Sequence, residues 1–267
     1  MFYILTLLFS ISNKWDYDKG GSNWNNLCKK GLHQSPINIV NNIVKQQGLD
    51  HHLQFHFENN QIEYFNNGIY LEYEPIQENS LGYFTYHTSK YFIQQFHFHS
   101  VSEHTIHSNH YPLEIHLVGK TESNQLGVLA ILMKEGKNRL LLEKIGWSRD
   151  ISSLPQPLCQ DNKLLRPCQK SDDHNKYKIM GKIKTLIDFS YLNGLLSDKS
   201  FYHYKGSLTT PPCTENVDWF ILKDIMEIET NQLNYYTQLL NNNPLLKDNH
   251  YHNNRHIQPL NGRNIEK

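Results

Sequence analysis

Six of the sixteen histidines of the chain lie within residues 95–116, QFHFHSVSEHTIHSNHYPLEIH. In an extended strand the side chains alternate between two faces, so His97 and His99 point the same way, about 7 Å apart. The next apolar run, LEIHLVGK, carries His116 on one face of a second strand. If the two strands pair, three imidazoles meet on one sheet face. This is the ligand set of a catalytic zinc site, whose fourth position holds water.

The competing interpretation is a polar surface ribbon in a histidine-rich chain, because a His-x-His pair is often accidental. Gln95 and Glu114 favour the metal site, since each lies two residues from a proposed ligand on the same strand face. Metal-bound imidazoles usually donate their second N–H to such a group. The histidines of the intervening connection are interpreted as solvent-exposed, with a structural role left open for the first of them: His104, His107 and His110.

The elements that must position these side chains are mostly strands. Short runs rich in β-branched and aromatic residues recur, separated by Asn, Gly, Ser and Pro clusters. This pattern predicts a mainly β, single-domain fold with a large, mostly antiparallel, twisted central sheet and a few short surface helices. Helical periodicity predicts a helix over 176–192, where Ile183 and Leu186 share a face, and a second over 216–240 whose start is equally compatible with a strand. The segment 150–175 is predicted to be a long surface excursion.

Charge and composition exclude several classes of partner. Lys plus Arg and Asp plus Glu both number 26, so no basic field exists to hold nucleic acid or an anionic membrane. No segment is long and apolar enough to cross a bilayer. Residues 1–12, MFYILTLLFSIS, are predicted to be a signal peptide, against the alternative of a buried first strand or helix. Residues 13–267 are the remaining predicted domain, and four cysteines fit a secreted protein or one in the lumen of the secretory pathway.

Four motifs resemble the α-class carbonic anhydrases, in particular the eukaryotic-type secreted members, and they follow that family's order. They are QSPINI at 34–39, QFHFH…SEHT…LEIHLV at 95–118, GSLTTPPCTENVDW at 206–219 and NNRHIQPLNGR at 253–263. The resemblance extends from Trp15 nearly to the C-terminus. It implies a sheet of about ten strands, with zinc at the bottom of a conical cleft. The implied reaction is the reversible hydration of carbon dioxide to bicarbonate and a proton.

The resemblance assigns the metal ligands and their partners. The family's zinc ligands correspond to His97, His99 and His116. Their hydrogen-bond partners correspond to Gln95 for His97, Glu114 for His116 and a backbone carbonyl near Asn253 for His99. Zinc lowers the pKa of bound water to about 7, a value known from carbonic anhydrase itself, and the resulting hydroxide attacks carbon dioxide.

Two further residues are implied to direct the hydroxide. By resemblance, Thr209 accepts the hydrogen of the hydroxide and donates its own to Glu103, since an ionised carboxylate can only accept. Without the family, Thr209 would be interpreted as a turn residue before Pro211 and Pro212.

The cleft wall is also implied by the resemblance. An apolar wall for carbon dioxide corresponds to Val118, Val128, Leu208 and Trp219, which would otherwise be core residues. Thr210 is implied to bind bicarbonate, and two residues are implied to order the water of the cleft: Tyr17 and Asn67.

One departure from the family concerns proton export. The fastest members carry a proton-shuttle histidine where this chain has Ile69, and bulky Tyr70 follows it. Glu72 lies on the same wall and could replace the shuttle only with a strongly raised pKa. The resemblance therefore implies an active enzyme that lacks the usual shuttle.

The cysteines are assigned in two pairs. Secreted family members bridge the positions of Cys28 and Cys213, so a disulfide is implied there. Cys159 and Cys168 are predicted to form a second, local bridge, with free thiols as the alternative.

Two other functions compete with a monomeric zinc enzyme acting on a small molecule. A catalytically silent binding domain of the same fold would typically lack a zinc ligand, whereas this chain has all three histidines with Glu103 and Thr209. An unrelated zinc hydrolase would need its own carboxylate base, and a structural zinc protein would need a fourth ligand.

Overall fold

The structure is a computed structural model, and it describes residues 15–17, 19–40, 44–45, 52–66, 69–147, 158–161, 164–167, 183–197, 199–241, 246, 249–250 and 252–267. The predicted signal peptide at 1–12 lies outside these residues, as do most of the predicted excursion at 150–175, Asn67 and Cys168.

One large sheet dominates the described residues, and nine of its twelve strand pairs are antiparallel. The strands are β1 Asn38–Ile39, β2 Val44–Lys45, β3 Leu53–Phe57, β4 Asn60–Asn66, β5 Leu71–Pro75, β6 Gly82–Tyr86, β7 Ser89–His99, β8 Thr105–Ile106, β9 Leu113–Lys120, β10 Leu126–Gly136, β11 Leu158–Asp161, β12 Leu164–Pro167, β13 Ile183–Ile187, β14 Phe201–Ser207, β15 Glu215–Leu222, β16 Met226–Glu229 and β17 Ile265–Glu266. The helices are α1 Leu27–Lys30, α2 Leu140–Lys144, α3 Tyr191–Leu196 and α4 Thr230–Asn241.

The main path of the sheet has ten strands in the order β13-β4-β5-β7-β9-β10-β15-β14-β17-β2. In the described part of the chain, β3, β6 and β16 pair beside this path, which brings the sheet to 13 strands. The predicted fold class, a mainly β protein with a mostly antiparallel, twisted central sheet and a few short helices, is confirmed. None of the described helices has the length and apolar character needed to span a bilayer.

The two faces of the central strands pack into two different cores. In β10, Leu129 and Ile131 belong to the larger core, whereas Val128 and Ala130 belong to the smaller one. This follows from the alternation of side chains along a strand. Because both faces are covered, β10 is apolar at nearly every position, as expected for a strand at the centre of a sheet.

The predicted helix over 176–192 is wrong at residues 183–187, and a helix begins only at Tyr191. Residues Ile183–Ile187 form β13, which pairs antiparallel with β4 at the end of the main path. Leu186, assigned to the buried face of the helix, is 71% exposed, and the buried residue is Ile187. The segment is rich in β-branched residues, which favour strands, and it pairs with the edge of β4. Together these outweigh the weak helical periodicity of its sequence. At 216–240 the strand alternative is correct for the start, and a helix follows from residue 230.

Candidate metal centre and cleft

Pairing of β7 with β9 brings the three predicted histidines together. His97 lies directly opposite His116, and His99 lies two residues further along β7. The ring centroids are 4.6–5.1 Å apart. One nitrogen from each ring lies within 4.8 Å of the other two, so the three could hold one metal ion. All three side chains are buried.

Each ring uses one nitrogen for a hydrogen bond to the protein. Nδ1 of His97 donates to the side-chain oxygen of Gln95 (2.7 Å), and Nδ1 of His99 donates to the carbonyl of Asn253 (2.6 Å). Nε2 of His116 donates to the carboxylate of Glu114 (2.8 Å). These bonds fix the tautomer, so the lone pairs of the other three nitrogens face one another.

Burial keeps these rings neutral, as metal ligation requires. Burial lowers the pKa of His97 well below its ordinary value, and the neighbouring imidazoles lower it further. Burial also lowers the pKa of His99 to about 4 and that of His116 below its ordinary value. Nε2 of His99 is buried without a hydrogen-bond partner among the described residues. A cation would satisfy this atom, so the residues present fit a metal ion.

The solvent-exposed interpretation of His104 is wrong, and the structural role left open for it is correct. His104 is fully buried, its Nδ1 donates to Glu114 (2.7 Å), and its Nε2 accepts from the Tyr204 hydroxyl (2.7 Å). Glu114 therefore holds His104 and His116 together, and these two rings lower its pKa although burial alone would raise it. The signal is missing from the local sequence, because Tyr204 lies 100 residues away. His107 and His110 are exposed as predicted.

Glu103 lies beside the triad and is fully buried. One of its carboxylate oxygens accepts from the backbone N–H of Arg255 (2.8 Å), and the other lies 3.6 Å from Nε2 of His99. Burial raises the pKa of Glu103 to about 7, while interactions with His116 and the Thr209 hydroxyl act against this rise. Arg255 lies in the NNRHIQPLNGR motif, but the sequence alone predicts no role for it.

A cleft opens beside the triad. Its wall contains all five residues predicted for the substrate pocket and also Tyr70, whose ring stacks on His97 with centroids 4.5 Å apart and planes at 24°. The five are Val118, Val128, Leu208, Thr210 and Trp219. Thr209 lies on the same wall.

Other predicted cleft residues are placed differently. Tyr17 is fully buried between Trp15 and Trp24, and it is not part of the described cleft wall. Ile69 is half-buried against the larger core, and its carbonyl accepts from the side-chain amide of Asn253 (3.1 Å). The structure does not describe the side chains of Asn67, Cys159 and Cys168.

The Cys28–Cys213 disulfide implied by the resemblance is present and joins α1 to the loop that carries Thr209. Arg255 donates to the Cys28 carbonyl (2.7 Å), and the Gln34 amide donates to the Cys213 carbonyl (3.1 Å). The disulfide therefore belongs to the same buried network as Glu103.

Known proteins are similar to this chain in sequence and in fold. The family model described as eukaryotic-type carbonic anhydrase matches residues 19–267. A carbonic anhydrase of Klebsiella pneumoniae is 31% identical over 261 residues, which cover 94% of this chain and 90% of that protein. Dioscorin DB3L of Dioscorea polystachya is 26% identical over 284 residues, which cover 99% of this chain and 92% of that protein.

A solved structure agrees with these sequence relatives. The α-carbonic anhydrase of Thermovibrio ammonificans in complex with the inhibitor sulfanilamide has a TM-score of 0.66 and 29% identity, covering 90% of this chain and 89% of that one. The order of motifs, the sheet and the histidine triad have the same explanation: the chain belongs to the eukaryotic-type carbonic anhydrase family.

Proposed function

We propose that the chain catalyses the reversible hydration of carbon dioxide to bicarbonate and a proton, with one Zn²⁺ held by His97, His99 and His116. The observation that carries this proposal is the convergence of three neutral, buried imidazoles. Each has its second nitrogen fixed by a different acceptor. Imidazole nitrogens suit zinc, and three protein ligands leave a position open for the reaction.

Zn²⁺, when bound, supplies a Lewis acid that lets water lose a proton near neutral pH. The chain's own contribution is orientation. Thr209 would accept a hydrogen bond from the nucleophile and donate its own hydrogen to Glu103, which would align the nucleophile's lone pair with carbon dioxide. Glu103 is held for this role by the backbone N–H of Arg255.

The cleft wall suits an uncharged substrate. Val118, Val128 and Trp219 are buried side chains of the smaller core, and Leu208 packs against them. An apolar wall favours carbon dioxide over water. Thr210 lies on the same wall and offers a hydroxyl to bicarbonate. We expect Tyr17 and Asn67 to contribute to the water structure, and we expect a monomer.

We also propose a secreted protein or a protein of the secretory pathway. The Cys28–Cys213 disulfide supports this location, because disulfides persist in oxidising compartments. Sequencing the N-terminus of the secreted protein tests the proposed signal peptide at residues 1–12.

The alternative is a binding domain without catalysis. The dioscorin relative is not named as a carbonic anhydrase, so family membership does not settle the activity of every member. This chain has all three histidines, Glu103 and Thr209, which favours catalysis.

A stopped-flow assay separates the two functions. Carbon dioxide hydration is measured on the purified chain, after removal of metal with dipicolinate, and after return of Zn²⁺, with metal content measured by mass spectrometry. We expect about one zinc per chain, loss of activity with the metal and recovery on its return. A zinc-loaded chain that does not hydrate carbon dioxide would favour the binding domain.

A further inference from the structure

Tyr70 is a cleft residue that the proposed reaction does not use. It immediately precedes β5, in which Glu72 lies directly opposite His97 of β7. Because side chains alternate along a strand, Tyr70 lies on the same sheet face as His97 and His99. Its ring stacks on His97 and is tilted against His99, with centroids 5.9 Å apart.

The phenol ring is held in place. Only 4% of Tyr70 is exposed, although the residue forms part of the cleft wall. Offset stacking of two rings at this distance is a favourable arrangement. Because the Nδ1 edge of His97 is hydrogen-bonded to Gln95, the ring on which Tyr70 stacks keeps its orientation.

Little room remains beside the proposed ligands. The cavity of the cleft has a volume of about 30 Å³, and the Tyr70 ring forms part of its wall. Because this ring covers one face of His97, it occupies space that a bulky group next to the metal position would need. Carbon dioxide is linear and triatomic and can pass beside the Tyr70 ring. A benzene ring attached to a metal-binding group would press against it.

We propose that the Tyr70 ring is a size filter that determines which ligands reach the metal position. This inference rests on the proposed function, because the filtered ligands are those that bind a metal held by the triad. Carbon dioxide, bicarbonate and small sulfonyl amides pass, whereas a ligand with an aromatic ring attached to the same head group is disfavoured. Tyr70 is therefore a specificity-determining residue of this chain.

Two ligands with the same metal-binding group test the filter. Sulfamide and sulfanilamide both present a sulfonamide nitrogen, but only sulfanilamide carries a benzene ring. Their dissociation constants are measured by calorimetry on the zinc-loaded full chain and on its variants Tyr70→Ala, Tyr70→Thr and Tyr70→Phe. Zinc content and melting temperature are recorded for each variant.

Tyr83→Ala is the matched control. Tyr83 also stacks on a histidine, His56, with centroids 5.0 Å apart and planes at 26°, but it lies on β6 and not on the cleft wall. The control therefore removes an equivalent stacked ring without opening the cleft.

We expect the affinity for sulfanilamide, relative to that for sulfamide, to rise about 10-fold or more in Tyr70→Ala and Tyr70→Thr, the scale of a steric change in an apolar pocket. Tyr70→Phe and Tyr83→Ala should keep the wild-type ratio. Either side-chain truncation, Tyr70→Ala or Tyr70→Thr, is enough for the test if it folds and binds zinc. An unchanged affinity ratio in a zinc-loaded truncation would overturn the size filter and leave the proposed function standing. A gain in Tyr70→Phe equal to that in Tyr70→Ala would do the same. Failure of the wild-type chain to bind zinc would overturn the proposed function together with this inference.

Discussion

Two buried histidine clusters lie in the same sheet, and they differ in how the ring nitrogens are used. On β14, His203 places Nε2 3.0 Å from a carboxylate oxygen of Asp218 and Nδ1 3.0 Å from one of Glu266. Both nitrogens of His203 therefore lie within hydrogen-bond distance of a carboxylate, and neither faces another imidazole of a cluster. At the triad of β7 and β9, each ring donates once, and its second nitrogen faces the other two rings.

This difference shows that burial beside a carboxylate does not identify a histidine as a metal ligand. A buried ring nitrogen whose lone pair has no hydrogen-bond partner does identify one. His104, Glu114 and His116 also lie close enough together to hold a cation. However, one Glu114 oxygen accepts from both rings, and the other nitrogen of His104 is occupied by Tyr204. We therefore assign the metal to the triad, and His104 to the support of Glu114.

The largest expected effect is loss of the metal. His97→Ala, His99→Ala or His116→Ala removes one of three ligands and should bring hydration to the uncatalysed background and zinc content well below one per chain. His203→Ala is the control. Both ring nitrogens of His203 already have carboxylate partners, so this variant should leave zinc content unchanged. Metal analysis and stopped-flow assays check both. Full zinc content in a triad variant would contradict the assignment.

The second effect concerns stability at the other cluster. Burial alone raises the pKa of Asp218, but hydrogen bonds from His203, Lys205 and Tyr91 outweigh it, so this pKa lies below its ordinary value. Such a carboxyl stabilises the fold above its unfolded pKa of about 3.9, and this stability is lost as the pH falls through the folded value. Asp218→Asn should lower the free energy of unfolding at pH 7 by about 3–5 kcal/mol, because it leaves buried partners unpaired.

Denaturant unfolding of the wild type and of Asp218→Asn between pH 7 and pH 3 checks this prediction. The difference between the two proteins should be full down to about pH 5 and should shrink below about pH 4. Zinc content should not change. A difference that is independent of pH would show that the ionised carboxylate is not the source of the stability.

The third effect tests the groups that orient the ligands. Glu114→Ala and Gln95→Ala should each weaken zinc affinity by about 10–100-fold, as is usual when a ligand loses its hydrogen-bond partner. Gln94→Ala is the matched control, since this neighbouring glutamine bonds to Asn79 and the Phe92 carbonyl, away from the triad. Competition with a fluorescent zinc chelator measures all three affinities. Equal affinity in Gln94→Ala and Gln95→Ala would contradict the role of Gln95.

The triad could be predicted from the sequence because its geometry is local. His97, His99 and Gln95 share one strand, and the period of two places them on one face. Only the position of His116 opposite His97 depends on the pairing of two strands, β7 and β9, and these strands are close in sequence. The apolar wall was assigned by family resemblance, since residues such as Val118 and Trp219 have the pattern of ordinary core residues.

The rest depends on distant contacts. His104 has Glu114 on one ring nitrogen and Tyr204 on the other, and Tyr204 lies 100 residues away. Arg255 contributes through its backbone N–H to Glu103, 152 residues away. Ile183–Ile187 became a strand because β4 offered a pairing edge. In each case the deciding partner is remote in sequence, where propensity carries no information.

The smallest expected effect concerns proton export, and it completes the comparison of histidine nitrogens. Each hydration leaves a proton in the cleft, and the only histidines on the described cleft wall are His97 and His116, which are proposed ligands. Ile69 cannot titrate. We therefore expect turnover limited by proton export, so that imidazole buffer raises kcat in a saturable way and leaves kcat/KM nearly unchanged.

Ile69→His adds a ring with both nitrogens available and an ordinary pKa near 6.5, which suits proton transfer. We expect kcat at low buffer to rise about 10-fold, less than the 10²–10⁴-fold of a well-placed acid–base group, because Tyr70 crowds the position. Ile69→Phe supplies a ring that carries no proton and should leave kcat and its buffer dependence unchanged. A wild-type kcat that is already flat with buffer concentration would show that another group exports the proton.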